Sequence, residues 1–171
     1  MSKRDLKKYI SELNKEQLQE QILELYDKFI PVKTYYDFVF NPKEDKLLEE
    51  CKLKISNEYF PVRGKKAKMR RSVAQKYIKH FITLGVDSYI IADVMLYNIE
   101  IAQTLSSEKD IKAELFYKSM LVSFNQAISF LIEKGILNDY KSRVVAIKEE
   151  TLTQNWVNHY EFNAIVERFE Y

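Results

Sequence analysis

IKHFITLGVDSYIIADVML, residues Ile78 to Leu96, decides the fold. Ile78, Phe81, Ile82 and Leu84 fall at helical spacing and stop at Gly85. Asp87 or Ser88 then offers a cap, and an apolar run resumes at Tyr89. A helix that ends on glycine and restarts on an acidic or hydroxyl cap is the pattern of two helices joined by a tight turn. The second helix, Tyr89 to about Leu105, carries Ile90, Ile91, Val94, Met95, Leu96, Ile99, Ile101 and Ala102 on almost every side. Such a helix sits among others. Asp93, Tyr97, Glu100 and Thr104 share one polar strip along it.

Fifty residues on, ISFLIEKGILNDYKSRVVA (128–146) repeats the order of apolar helix, glycine, short turn and helix. A true helical repeat gives that pattern, and so do unrelated antiparallel helices joined by short turns. The helix from Ile111 to Lys134 presents Phe116, Met120, Phe124, Ala127 and Leu131 on one face, and Gly135 ends it. Asn138 or Asp139 opens another, with Val144, Ala146 and Ile147 apolar. Asn158 with Glu161 starts the last, with Phe162, Ile165, Val166 and Phe169 inward, and Trp156 in the joint before it packs on the bundle.

Upstream, Phe60–Lys68 reads as a loop because Pro61 and Gly64 resist regular structure. Helix resumes near Lys68, with Val73, Tyr77, Phe81 and Leu84 as its buried stripe and Ala74, Ile78 and Ile82 widening it. Before the loop, Asn41-Pro42 is a start signal, with Glu44 able to close a capping box, and Leu47, Cys51, Ile55 and Tyr59 follow every four residues. Val32, Tyr35, Tyr36 and Val39 keep a helical period, although YYDFVF also suits a short strand at 35–40. Pro31 breaks the helix before it. Ser2 with Asp5, and Asn14 with Gln17, start two helices, the second carrying the stripe Leu18, Ile22, Leu25 and Phe29.

These signals add up to an all-α chain of about seven or eight helices, either a bundle or stacked antiparallel hairpins, with an α–α superhelix as a variant. We read 1–171 as a single helical domain, with 1–40 as an N-terminal helical hairpin subdomain. Three Gly and three Pro are too few for a protein of many tight β-turns. With 46% apolar and 30% charged residues the chain is globular. A single cysteine rules out an internal disulfide and suits a reducing, cytoplasmic setting. No signal peptide is legible in MSKRDLKKYI, and Tyr89–Ala102, interrupted by Asp93 and Glu100, comes nearest to the roughly 20 apolar residues of a membrane span.

The segment LKKYISELNKEQLQEQILELYDKF, followed by VKTYYDF and KLLEECKLKISNEYFP, resembles a family of small uncharacterised bacterial proteins. The resemblance covers about residues 5–61. It implies a small, helical, bacterial protein of unassigned function, and it assigns no functional residue.

Charge supplies the sharpest functional signal. Arg63, Lys65, Lys66, Lys68, Arg70, Arg71, Lys76 and Lys79 fall between Pro61 and Gly85 with no acid among them. The remainder, from residue 86 on, is acidic, with eight Lys/Arg against thirteen Asp/Glu. The basic residues form a solvated edge, or are neutralised by the acidic half, or meet an anionic partner such as a nucleic-acid backbone. Tyr77 and Phe81 fall to the core stripe rather than to a stacking platform.

Catalytic and cofactor motifs are missing. His80 and His159 are far apart in the chain, no metal-ligand spacing occurs, and no glycine-rich phosphate loop or nucleophile elbow is present. No cofactor is implied. Cys51 lies on an apolar stripe, where a thiol is a small hydrophobe. Asp93 and Glu100, with Tyr97, are the one acid/base candidate, because a desolvated carboxyl gains a raised pKa. The competing reading pairs both with Lys or Arg. Wide apolar helix faces and the lack of catalytic motifs point first to a non-enzymatic scaffold for a protein partner. Nucleic-acid binding through 63–79 comes second, and an unrecognised enzyme third.

Overall fold

Every regular element among the described residues of the computed structural model, 2–62 and 66–168, is an α-helix. The order is α1 (Lys3–Ser11), α2 (Lys15–Lys28), α3 (Ile30–Phe40), α4 (Glu44–Tyr59), α5 (Arg71–Leu84), α6 (Ser88–Glu108), α7 (Glu114–Glu133), α8 (Leu137–Thr153) and α9 (His159–Glu167). These nine helices among the described residues exceed the expected seven or eight. The 35–40 segment is helical within α3, so the strand alternative falls away.

The chain divides into two compact units, Met1–Lys43 and Glu44–Tyr171. In the first, both capping boxes form as read: Ser2 with Asp5, and Asn14 with Gln17. The Tyr26 hydroxyl donates to Asp37 at 2.7 Å and ties α2 to α3. None of these three helices has a buried residue. Leu6, Ile10, Ile22, Leu25 and Phe29 are all exposed.

In the second unit the packing follows chain order. Each helix from α4 to α9 packs on those one and two places away in the chain. This is the stacked-hairpin form of the expected all-α fold. α6 lies between α4, α5, α7 and α8, as its all-round apolar sequence requires. Phe81, Leu96, Ile99, Phe124 and Leu131 are almost fully buried. Each such side chain contributes roughly 1.5–3 kcal/mol of burial. Trp156, also buried, meets Phe116, Tyr117 and Phe162 edge to face.

Both glycine turns close in the same way. Val86 N–H donates to Phe81 C=O at 3.1 Å, and Ile136 N–H to Leu131 C=O at 3.0 Å. Gly85 and Gly135 sit at φ +75° and +70°. Only a residue without Cβ takes that conformation readily, and the six-to-one bond satisfies a terminal carbonyl. Asn155, at φ 53°, makes a third such turn before Trp156.

Three local readings change. α4 begins at Glu44, and Asn41 ends α3 instead of capping α4. Glu44 accepts the Asp87 N–H at 2.9 Å, so its carboxylate serves the α5–α6 turn rather than a capping box. α5 begins at Arg71, not near Lys68, because Lys68 and Met69 N–H both donate to Glu58 C=O and Met69 is left-handed at φ 51°. Among the described residues it is α7, and not Tyr89–Ala102, that is long and apolar enough by length and composition to cross a membrane. Its Phe116, Met120, Phe124, Ala127 and Leu131 are buried in the core, which accounts for that composition.

Candidate basic groove

The C-terminal half of α4 and the N-terminal half of α5 enclose an open groove of about 970 Å³. Helical spacing sets its walls. Lys54 and, one turn on, Asn57 and Glu58 come from α4, and Ser72, Lys76 and His80 recur every four residues on α5. Lys66, Lys68 and Arg70, from the segment between the helices, line it as well. Among the described residues, five Lys/Arg side chains and His80 therefore line a recess with one carboxylate, Glu58.

Glu58 is engaged. Arg70 donates to it from Nε and Nη2, each at 2.8 Å. Those hydrogen bonds hold its carboxyl below the usual range, with the Arg70 charge adding to them. Lys54, Lys66, Lys68 and Lys76 form no ion pair with a carboxylate among the described residues. Among the described residues the acidic half after Val86 makes no ion pair with the basic stretch, whose one ion pair there is Arg70 with Glu58. The start of α5 adds to the field: Arg70 caps it without a side-chain hydrogen bond, and the positive end of the helix dipole opens beside Ser72.

Of the eight basic residues singled out in the sequence, six are described, and these do not all line the groove. Lys66, Lys68, Arg70 and Lys76 line the groove. Arg71 turns away, donating to Ser123 Oγ at 2.8 Å and Gln126 Oε1 at 2.6 Å, which ties α5 to α7. Lys79 is exposed outside the groove. Arg63 and Lys65 lie outside the described residues. Lys54 and His80 join the site although they were not singled out as anion ligands, and the four-residue spacing of Ser72, Lys76 and His80 was the signal available for His80. Val73 and Tyr77, read as core, are half-buried and line the groove instead, while Ile82 is exposed.

The carboxylate candidate is an ion network. Asp93 pairs with Lys52 at 2.6 Å and with Arg143 Nη1 at 2.6 Å, and Arg143 grips Glu100 from Nε at 2.5 Å and Nη2 at 2.7 Å. Burial alone would raise the Asp93 pKa, but hydrogen bonds from Lys52 and Arg143 overcome it and leave the carboxyl below its ordinary value. The condition for a carboxylate acid catalyst, a raised pKa, is thus not met at Asp93. Lys52 also lies 5.1 Å from the Tyr97 ring centre. The network links α4, α6 and α8 along the polar strip of α6.

Cys51 is fully buried, and burial pushes its thiol up to about 12. No nucleophile forms there. Among the described residues no three His, Cys, Asp or Glu side chains group to hold a metal ion.

A family model described as "Family of unknown function (DUF6155)" matches residues 1–170, well past the Pro61 limit of the resemblance read in the sequence. No curated protein and no solved structure matches the chain.

Proposed function

The chain belongs to this family of unknown function (DUF6155), and from that premise we propose that it binds nucleic acid by its phosphate backbone in the groove between α4 and α5. The observation that supports this most is the lining: four lysines without an ion pair, with Arg70 and His80, converge on one recess whose single carboxylate among the described residues is already paired with Arg70. Unpaired ammonium groups around an open recess attract phosphate and release its counterions. The test is fluorescence anisotropy with labelled random-sequence RNA and duplex DNA at about 50 and 200 mM salt, a range in which phosphate-led binding falls steeply. Changing Lys54, Lys68 and Lys76 together to Glu should abolish the signal. Absence of binding by the unaltered protein at low salt would overturn the reading.

A protein-partner reading has one observation in its favour. Leu6 and Ile10 on α1, Ile22 and Leu25 on α2, and Phe29 at the end of α2 are exposed. Contiguous exposed apolar side chains are the usual mark of a surface another protein covers. Leu6→Asp with Ile10→Asp should then release a partner that the unaltered chain captures, while leaving the melting of the Glu44–Tyr171 unit unchanged. Equal capture by both would remove this reading.

A further inference from the structure

A second cavity, of about 470 Å³, lies beside the groove and shares Pro61 and Lys66 with it. Phe60 and Lys109 line the new side. Lys66 therefore stands at the junction of two recesses, and Lys76, Lys66 and Lys109 mark out cation sites from the first to the second. None of the three forms an ion pair with a carboxylate among the described residues.

Each recess also has a half-buried aromatic ring, Tyr77 in the first and Phe60 in the second. Tyr59 is different. It lines the second recess, but it is buried and its hydroxyl donates to Asn98 at 3.3 Å, so it belongs to the core. Cations interleaved with partly exposed rings suit an unpaired strand, whose bases can lie on the rings while its phosphates follow the ammonium groups. A duplex keeps its bases stacked inside and presents a rigid backbone that cannot fold into nucleotide-sized recesses. A single nucleotide would leave one of the two recesses empty.

Resting on the nucleic-acid reading above, we infer that the ligand is a single strand spanning both recesses, with one base on Tyr77, another against Phe60, and phosphates passing Lys66. The experiment uses the full chain at about 50 mM salt, where backbone contacts are strong. Three probes are compared: a labelled oligouridine of about ten nucleotides, within the usual site sizes, a duplex of equal length, and inorganic polyphosphate as a chain without bases. The oligouridine should bind about ten-fold more tightly than the duplex. Tyr77→Ala should weaken it about ten-fold, in keeping with the loss of one stacked base, and should leave polyphosphate affinity unchanged. Tyr77→Phe should retain the affinity, because the ring and not the hydroxyl carries the stacking, and the unchanged polyphosphate affinity of Tyr77→Ala separates stacking from packing at this half-buried position. Lys109→Gln should weaken the ten-nucleotide strand and not a three-nucleotide one. Equal or tighter duplex binding, or equal losses in Tyr77→Ala and Tyr77→Phe, would overturn the single-strand assignment and leave the groove as a backbone site. Failure of all three probes to bind would overturn both.

Discussion

Arg70 and Glu58 close a two-point salt bridge across the segment between α4 and α5. The same Glu58 accepts the Lys68 and Met69 N–H groups on its carbonyl, at 2.9 and 3.0 Å. One residue at the end of α4 thus holds both the backbone and the leading side chain of the incoming helix. It also engages a guanidinium fork that would otherwise suit a phosphate. Glu58→Gln should cost little stability, because the carbonyl contacts remain, and should raise affinity for oligouridine a few-fold. Anisotropy and a thermal melt on the same sample check both.

Arg71 and Lys76 separate structure from binding on one helix. Arg71 bridges to α7 through Ser123 and Gln126, whereas Lys76 faces the groove. Arg71→Ala should lower stability by about 1 kcal/mol and leave the salt dependence of binding intact. Lys76→Ala should do the reverse, reducing the slope of log K against log salt by about 0.7 for a single strand. Chemical denaturation and a salt titration distinguish the two.

Arg143 carries the ion network of α6 and α8. Removing it leaves Asp93 and Glu100 half-buried without their shared cation, so Arg143→Ala should cost about 2–4 kcal/mol. Lys52→Ala, at the more exposed edge, should cost about 1 kcal/mol or less. Urea midpoints measured on the two variants should differ accordingly.

The same network sets an acid limb. Asp93 has a depressed native pKa, against about 3.9 in the unfolded chain. Its contribution is therefore complete above about pH 4 and is lost as pH falls through the lower native value. Asp93→Asn should be less stable than the parent at neutral pH, and the gap between the two should narrow below about pH 4. A series of urea melts across pH would show whether it does.

Cys51 should be silent in the folded protein. Its thiol is buried and its pKa is pushed up to about 12, so an aromatic disulfide reagent should react only as the chain unfolds. Prompt labelling of the native protein would contradict the packing of α4.

The helices were legible because their caps and apolar stripes are local. Ser2, Asn14, Gly85 and Gly135 do in the structure what their residue types require. Trp156 packs in the core as its place in a short joint suggested. The groove was legible only in part. A run of basic residues records neighbours in sequence, but Arg71 and Lys76 face different partners because α5 turns between them. Lys54 belongs with Lys76 only because α4 lies against α5, and nothing in either helix alone announces that pairing. Tyr77 was assigned to the core by its period, which cannot distinguish a core face from the wall of a recess. The sequence allowed Asp93 and Glu100 a Lys or Arg partner but could not name it, because Arg143 arrives from a helix 43 residues beyond Glu100.

Because α4 to α9 each pack on helices one or two places away, the chain never has to join its far ends to fold. α4, α5 and α6 already make mutual contacts before α7 is needed. On a ribosome, that connectivity lets each emerging helix settle on surfaces already made, with little loop-closure entropy to overcome. Synthesis and folding of this unit can then proceed in step.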